Sequence, residues 1–295
     1  MTQLLSALSV GLGSGAIYAL VAIGFVMIFK ATGVISFAQP AFLMSGAIIV
    51  SFLAPLMGFY IGAILGVIAI GVLALLVERL TIRPMIGKAV FIIAIITVGL
   101  DIVLRTIAGM FLGTQPRSVG DPWGTDVSVI AGVVIQHRHV AAFVTATVIV
   151  IALLLFFRYS SVGLAMRAVA SDQEAAMAQG VSASLIFALS WAMAGAMAAI
   201  AGIFAATGGP IGNQLWLVGL IALPAIVIGG FDSIGGAIIG GLTIGIAQAV
   251  VSTYHNQWFP EFTTNLGPLM PWIIMLAVLL VRPHGLFGTK EVERV

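Results

Sequence analysis

Long apolar runs, each broken after one or two dozen residues by glycine, proline or a small cluster of charge, make up nearly the whole of this chain. A bilayer span needs about 20 predominantly apolar residues, fewer where the helix is short or broken. The runs at 4–29, 34–54, 60–80, 89–112, 138–158, 184–206, 215–229, 234–254 and 268–282 meet that description. They predict an all-α polytopic membrane protein of about eight or nine transmembrane helices, with 34–54 and 215–229 short enough that full crossing stays open. One transmembrane domain covers 1–295, with halves at 1–137 and 138–295 and a polar loop at 159–181 between spans of the second half.

Composition agrees with the pattern. The chain is 61% hydrophobic and 7% charged, against roughly 25% charged in a soluble domain. Its 35 glycines suit helices that approach closely through small residues in lipid. A net charge of +2 is too small to point to nucleic acid, and the lack of cysteine excludes disulfides and thiolate metal sites. The amino end, MTQLLSALSVGLGSG, has no basic n-region and is read as the start of the first span rather than a cleaved leader. Charge then orients the spans. With the amino end outside, the inside receives Lys30, Arg79, Arg83, Lys88, Arg158, Arg167, Arg282, Lys290 and Arg294, while the outside keeps Arg117 and Arg138. The carboxyl end is then cytoplasmic, and the largest outer loop is Gly113 to Arg138, a solvated loop or part of a receptor surface.

The polar loop carries the densest punctuation. Ser171 and Glu174 form an S-x-x-E capping box, and Gly180 supplies a helix stop. A helix of about two turns is marginal alone, so this one is expected to dock. Ala175 and Ala176 permit close approach, and Arg167, Asp172 and Glu174 keep the segment in water. It reads as a docking lever on the inner face or, equally, as a solvated connector.

An internal repeat is visible at an offset of 175 residues: Ile28, Phe29, Ala31, Thr32, Gly33, Gln39 and Ala47 match Ile203, Phe204, Ala206, Thr207, Gly208, Gln214 and Ala222. The two copies fall on opposite sides of the membrane, which makes the repeat inverted and puts a solute path at its interface. Gln39 and Gln214 open the equivalent interrupted segments, and with Ser36, Thr32, Asn213 and Thr207 they are the candidate path residues. Pro40 and Pro224 are each expected to kink or break a helix. Asp101 and Arg105, one turn apart in the fourth span, either neutralise each other or make a polar contact beside a path or partner.

Other chemistry is missing. The run GGFDSIGGAIIGG at Gly229–Gly241 lacks the lysine of a phosphate loop, and reads as a tight turn followed by close helix packing. His137, His139, His255 and His284 have no carboxylate or cysteine at metal-ligand spacing. No serine, histidine and acid set can be assembled, so no catalytic or metal site is read here.

Several stretches resemble the permease subunits of branched-chain amino acid ABC importers of the LivH type. They are Gly13–Phe42 (GSGAIYALVAIGFVMIFKATGVISFAQPAF), ERLTIRPM at Glu78–Met85, TVGLDIVL at Thr97–Leu104, Gly163–Ser182, Ala222–Ile246 and RPHGLFG at Arg282–Gly288. The resemblance implies a prokaryotic inner-membrane permease working by alternating access. Its expected partners are a related second permease, two cytoplasmic ATPases that bind ATP and Mg, and an external solute-binding protein, with no cofactor on this chain. It also implies that Gly163–Gly180 is the element held by the ATPase. The family pattern of His-Gly-Glu is Gln39, Pro40 and Ala41 here, and the glutamate common near Ala247 is replaced by Gln248. Those exchanges of acid and imidazole for amide suit a small neutral solute or another zwitterion. A passive channel for a solute such as urea and an ion-coupled secondary transporter are the competing classes.

Overall fold

The structure, a computed structural model, describes residues 2–85, 88–113, 116–261 and 263–288; Lys290 and Arg294 of the orientation argument lie outside them. It is an all-α bundle with one small hairpin. In order come α1 (Thr2–Thr32), α2 (Gln39–Met57), α3 (Phe59–Val77), α4 (Val90–Leu112), β1 (Val127–Ile130), β2 (Val133–Gln136), α5 (His137–Tyr159), α6 (Ser161–Ser171), α7 (Gln173–Ala178), α8 (Ala183–Ala205), α9 (Trp216–Gly229), α10 (Ile234–Trp258) and α11 (Met270–Val281). A π turn and a 3-10 turn, Glu78–Ile82 and Arg83–Met85, extend α3. Among the described residues seven helices are long and apolar enough to cross a membrane, and Trp216–Gly229 and Gly267–Val281 are shorter apolar helices.

α1 is the axis. Its most apolar window is 83% buried, against 17% for the same measure in α4 and α5, and it packs on α10, α8, α5 and α9. Small residues permit this. A β-carbon at Gly15 would lie 2.8 Å from the Leu242 Cα, and one at Gly11 would lie 2.7 Å from the Ile246 Cα, so the α1 and α10 backbones meet without side chains between them. Trp191 of α8, fully buried, meets Phe42 of α2 edge to face with ring centroids 6.4 Å apart.

The repeat has a structural counterpart. α1 ends at Thr32, whose hydroxyl donates to the Ile28 carbonyl (2.8 Å), and Gly33 follows at φ +68°. After α8, Thr207 donates to the Phe204 carbonyl (2.7 Å), and Gly208 follows at φ +79°. Both turns need the left-handed backbone that glycine adopts at no steric cost. They lie at opposite ends of the bundle. Lys30 Nζ donates to the Asp232 carbonyl (3.0 Å), on the face that also carries α6 and α7. The Gly208 N–H instead donates to the Asp121 carboxylate (3.2 Å), on the face of the hairpin.

Three expectations are corrected. The second helix begins at Gln39 rather than residue 34, because Gly33 to Ala38 form a non-helical linker. Pro40 therefore causes no kink; it sits in the first turn of α2, where its missing N–H has no intrahelical role to lose. The proline inside α2 is Pro55 instead. The loop Gly113 to Arg138 contains the antiparallel hairpin, joined through Ala131 (φ 51°) and Gly132 (φ 80°), with Val127 opposite Gln136 and Ile130 opposite Val133. Two positive-φ residues between paired strands match the tight turns whose twist suits a hairpin.

The packing separates two kinds of glycine. Gly15→Val is expected to cost about 1–3 kcal/mol through overpacking and to lower the melting temperature in detergent. Gly99→Ala, where an added carbon meets nothing within 4 Å, is expected to leave it unchanged or raise it slightly.

Candidate solute cavity and coupling face

The two broken starts, those of α2 and α9, cross inside the bundle. A β-carbon at Gly219 of α9 would lie 2.7 Å from the Pro40 Cα of α2. Along this junction runs one stripe of α4. Thr97 Oγ1 accepts from the Phe37 N–H (3.0 Å), and Asp101 faces the Ala41 amide at the start of α2. Asp101 also pairs with Arg105 (3.2 Å), whose guanidinium lies 3.7 Å from the Trp216 ring centre at the start of α9. Residues at i, i+4 and i+8 share a helix face, so one face of α4 holds both starts. The pair thus neutralises itself and makes a polar contact at the same time.

The candidate path residues separate. Gln39 and Ser36 are wholly buried. Gln39 occupies the space beside Gly24 of α1, its Nε2 being 3.0 Å from where a β-carbon of Gly24 would stand, and neither of its amide atoms is hydrogen-bonded to a described residue. Thr32 is half-buried at the Lys30 end. Thr207 is buried at the opposite end, where its carbonyl accepts from Arg138 Nη1 (3.2 Å). Asn213 and Gln214 are exposed just before α9. These six side chains therefore line no common cavity.

What the structure does bring together is a different set. A cavity of about 520 Å³, lined by apolar side chains interspersed with hydroxyls and carboxamides, runs along α1 from Thr2 to Tyr18, bounded by α10 and roofed by β2. Sixteen residues of helix rise correspond to about 24 Å, so it reaches from one end of the bundle toward its middle. The Ser6 hydroxyl accepts from the Val134 N–H (2.9 Å) and ties the hairpin over it. The Tyr18 hydroxyl donates to Gln248 Oε1 (2.7 Å) deep in the cavity. Ser14 and Tyr18 also line a second cavity of about 210 Å³ between α1, α5, α8 and α9, which includes His139 and Thr207. Tyr18 and Ser14 gave no sequence signal, since a tyrosine in an apolar run reads as core. Gln248 was visible as the polar residue of its span.

The opposite face carries the capped polar segment α6–α7. Ser160 caps α6 by accepting from the Gly163 N–H (2.9 Å), and Asp172 caps α7 by accepting from the Ala175 N–H (2.9 Å). The cap is thus Asp172 and not Ser171, because Ser171 is still helical as the last residue of α6 while Asp172 has the extended backbone of an N-cap (φ −155°, ψ 107°). Gly180 follows α7 at φ +84°. Arg167, Asp172, Glu174, Ala175 and Gly180 are exposed, and Ala176 is buried against the bundle. On the same face Arg83 binds the fully buried Glu78 through Nε (3.2 Å) and Nη2 (3.0 Å), and Nη2 also donates to the Ser184 carbonyl (3.0 Å).

Apolar helices around a cavity at one face, with a capped helix pair at the other, define a polytopic membrane transport subunit. The chain belongs to the family described as branched-chain amino acid transport system permease components, whose sequence profile matches residues 7–279. It is 31% identical to the high-affinity branched-chain amino acid transport system permease protein LivH of Escherichia coli K12, over 97% of this chain and 96% of that one. It is 30% identical to LivH of Salmonella typhimurium and to the permease protein BraD of Pseudomonas aeruginosa, again over 97% of this chain and 96% of each relative.

The α4 stripe makes a measurable claim. Asp101→Asn and Arg105→Gln are each expected to lower the melting temperature, and the double variant is expected to lose less than their sum. The coupling energy should fall at about 1–3 kcal/mol; additive losses would mean that the pair does not hold the junction.

Proposed function

We propose that this chain is the membrane permease subunit of an ATP-driven importer for branched-chain or other small amino acids or related amides. The observation that carries the proposal is the α6–α7 pair. Two side-chain-capped helices meet at the extended Asp172; Gly163, Met166 and Val169 seat the first on the bundle and Ala176 seats the second, while Arg167, Asp172, Glu174 and Ala175 are exposed. A passive channel has no evident use for such an element, whereas a subunit driven by a cytoplasmic ATPase requires one. The competing ion-coupled class is disfavoured because the intramembrane carboxylate Asp101 is already matched by Arg105.

The partners of this reading are a related second permease, two ATPases that carry ATP and Mg, and an external solute-binding protein; this chain itself binds no cofactor. The inner membrane of a prokaryote is its place. The α6–α7 face, rich in Lys30, Arg79, Arg83, Arg158 and Arg167, is cytoplasmic, and the amino end and hairpin face outward. Closure of the ATPases on Arg167, Asp172, Glu174 and Ala175 would move α7 and switch which side the path faces. The cavity lies on the hairpin side, and the centre of the bundle is tightly packed at Gln39.

A tagged chain purified in mild detergent is expected to bring down an ATPase and a second permease; a clean homo-oligomer would favour the channel. Glu174→Arg is expected to reduce solute-stimulated ATP hydrolysis by tenfold or more, roughly 1.4 kcal/mol of coupling or greater, with an unchanged melting temperature. Normal stimulation in that variant would remove α7 from the mechanism.

A further inference from the structure

The cavity between α1, α10 and the hairpin has a wall of unusual uniformity. Its size of about 520 Å³ lies within the range of small-molecule sites, roughly 300–1,000 Å³. Every polar side chain on it is a hydroxyl or a carboxamide, and no charged residue lines it among the described residues. Both deeper carboxamides are oriented by neighbours. Gln248 Oε1 accepts from Tyr18 (2.7 Å), and Gln136 Oε1 accepts from Arg138 Nε (2.9 Å). With one lone pair of each oxygen engaged, the amides are fixed in orientation and present their N–H groups and a remaining lone pair, and Ser14 and Ser252 line the same wall with hydroxyls able to accept as well as donate.

We propose that this cavity is the binding site for a small uncharged solute of the carboxamide class, its carbonyl received by the Gln248 and Gln136 N–H groups and its own N–H groups by the serine hydroxyls. The assignment narrows the permease reading given above, on which its transport role rests. Among the described residues the wall offers a carboxylate solute no cation and an ammonium no anion, and either would lose hydration that hydroxyls and amides alone do not replace. Arg138 does not supply the charge, because it lines the neighbouring cavity and is held by Gln136 and the Thr207 carbonyl. A carboxamide brings the same donors and acceptors as the wall, with no net charge to desolvate.

The chain has no cysteine, so Val10→Cys introduces a single thiol into the wall at a side chain that takes no part in the proposed hydrogen bonds. Its rate of modification by a small methanethiosulfonate reagent would be followed in permeabilised membranes, with propionamide, propionate or propylammonium at equal concentration. Propionamide is expected to slow the reaction at least about threefold, two-thirds occupancy, and the two ions are expected not to slow it. Adding Gln248→Met should remove the protection while leaving the unprotected rate within about twofold. Equal protection by all three compounds, no protection by propionamide, or a thiol that reacts only after denaturation would each overturn the assignment. A protected thiol in a chain that brings down no ATPase would keep the site and dismiss the importer.

Discussion

Backbone amides that leave a helix inside a bilayer have no water to turn to and must be satisfied by the protein. This chain faces that requirement at the linker from Gly33 to Ala38 and again at the start of α2. The Phe37 N–H goes to Thr97, the Ala38 N–H to the Ser36 hydroxyl (3.4 Å), Pro40 has none to place, and the Ala41 amide faces Asp101. The broken start of α2 is thus met in part by the linker's own Ser36 and in part by α4, which supplies the Thr97 hydroxyl and places the Asp101 carboxylate near the first turn. α4 in turn is mostly exposed on its other sides, and its buried stripe continues this polar row with Ile93, Ala108 and Leu112. The charged residues of the fourth span belong to this arrangement: a carboxylate suits the positive end of a helix, and its arginine is accommodated by an aromatic face.

Much of this was legible in the amino-acid order, and what was not has physical reasons. The nine apolar segments correspond to helices within a few residues because length and hydropathy alone decide a span. The Asp101 and Arg105 pair followed from helical spacing. The cap of α7 was misplaced by one residue because Ser171 and Asp172 are both good capping residues, and only the backbone at Asp172 shows where α6 stops. The hairpin was missed because its turn is built on Ala131, a residue with no preference for positive φ, rather than on asparagine or aspartate. The repeat's own polar residues do not gather in the cavity along α1, where Tyr18 and Ser14 meet Gln248 across most of the chain's length in sequence.

The two faces of the molecule are built by different means. On the α6–α7 side the helix starts at Ser160, Asp172, Ser182 and Ser233 are capped by side chains, as suits ends that stand in water and receive a partner. Inside the bundle, α2 and α9 begin without side-chain caps and rely on neighbouring helices. The hairpin side is closed by strands and by Asp121, which joins the Gly124 N–H (2.7 Å) to the Gly208 N–H. Between them the glycine seam of α1 and α10 forms a close-packed backbone contact of the kind that does not deform continuously, so relative motion of the two faces is expected to proceed between discrete packings.

Gln39 gives that expectation a location. Its carboxamide is wholly buried beside Gly24, where α1, α2 and α8 meet, and a buried amide is tolerated when its donors and acceptors are met. Any change of packing at this point has to keep polar partners within reach of that amide, so the helices around it are constrained to move as a set rather than one at a time.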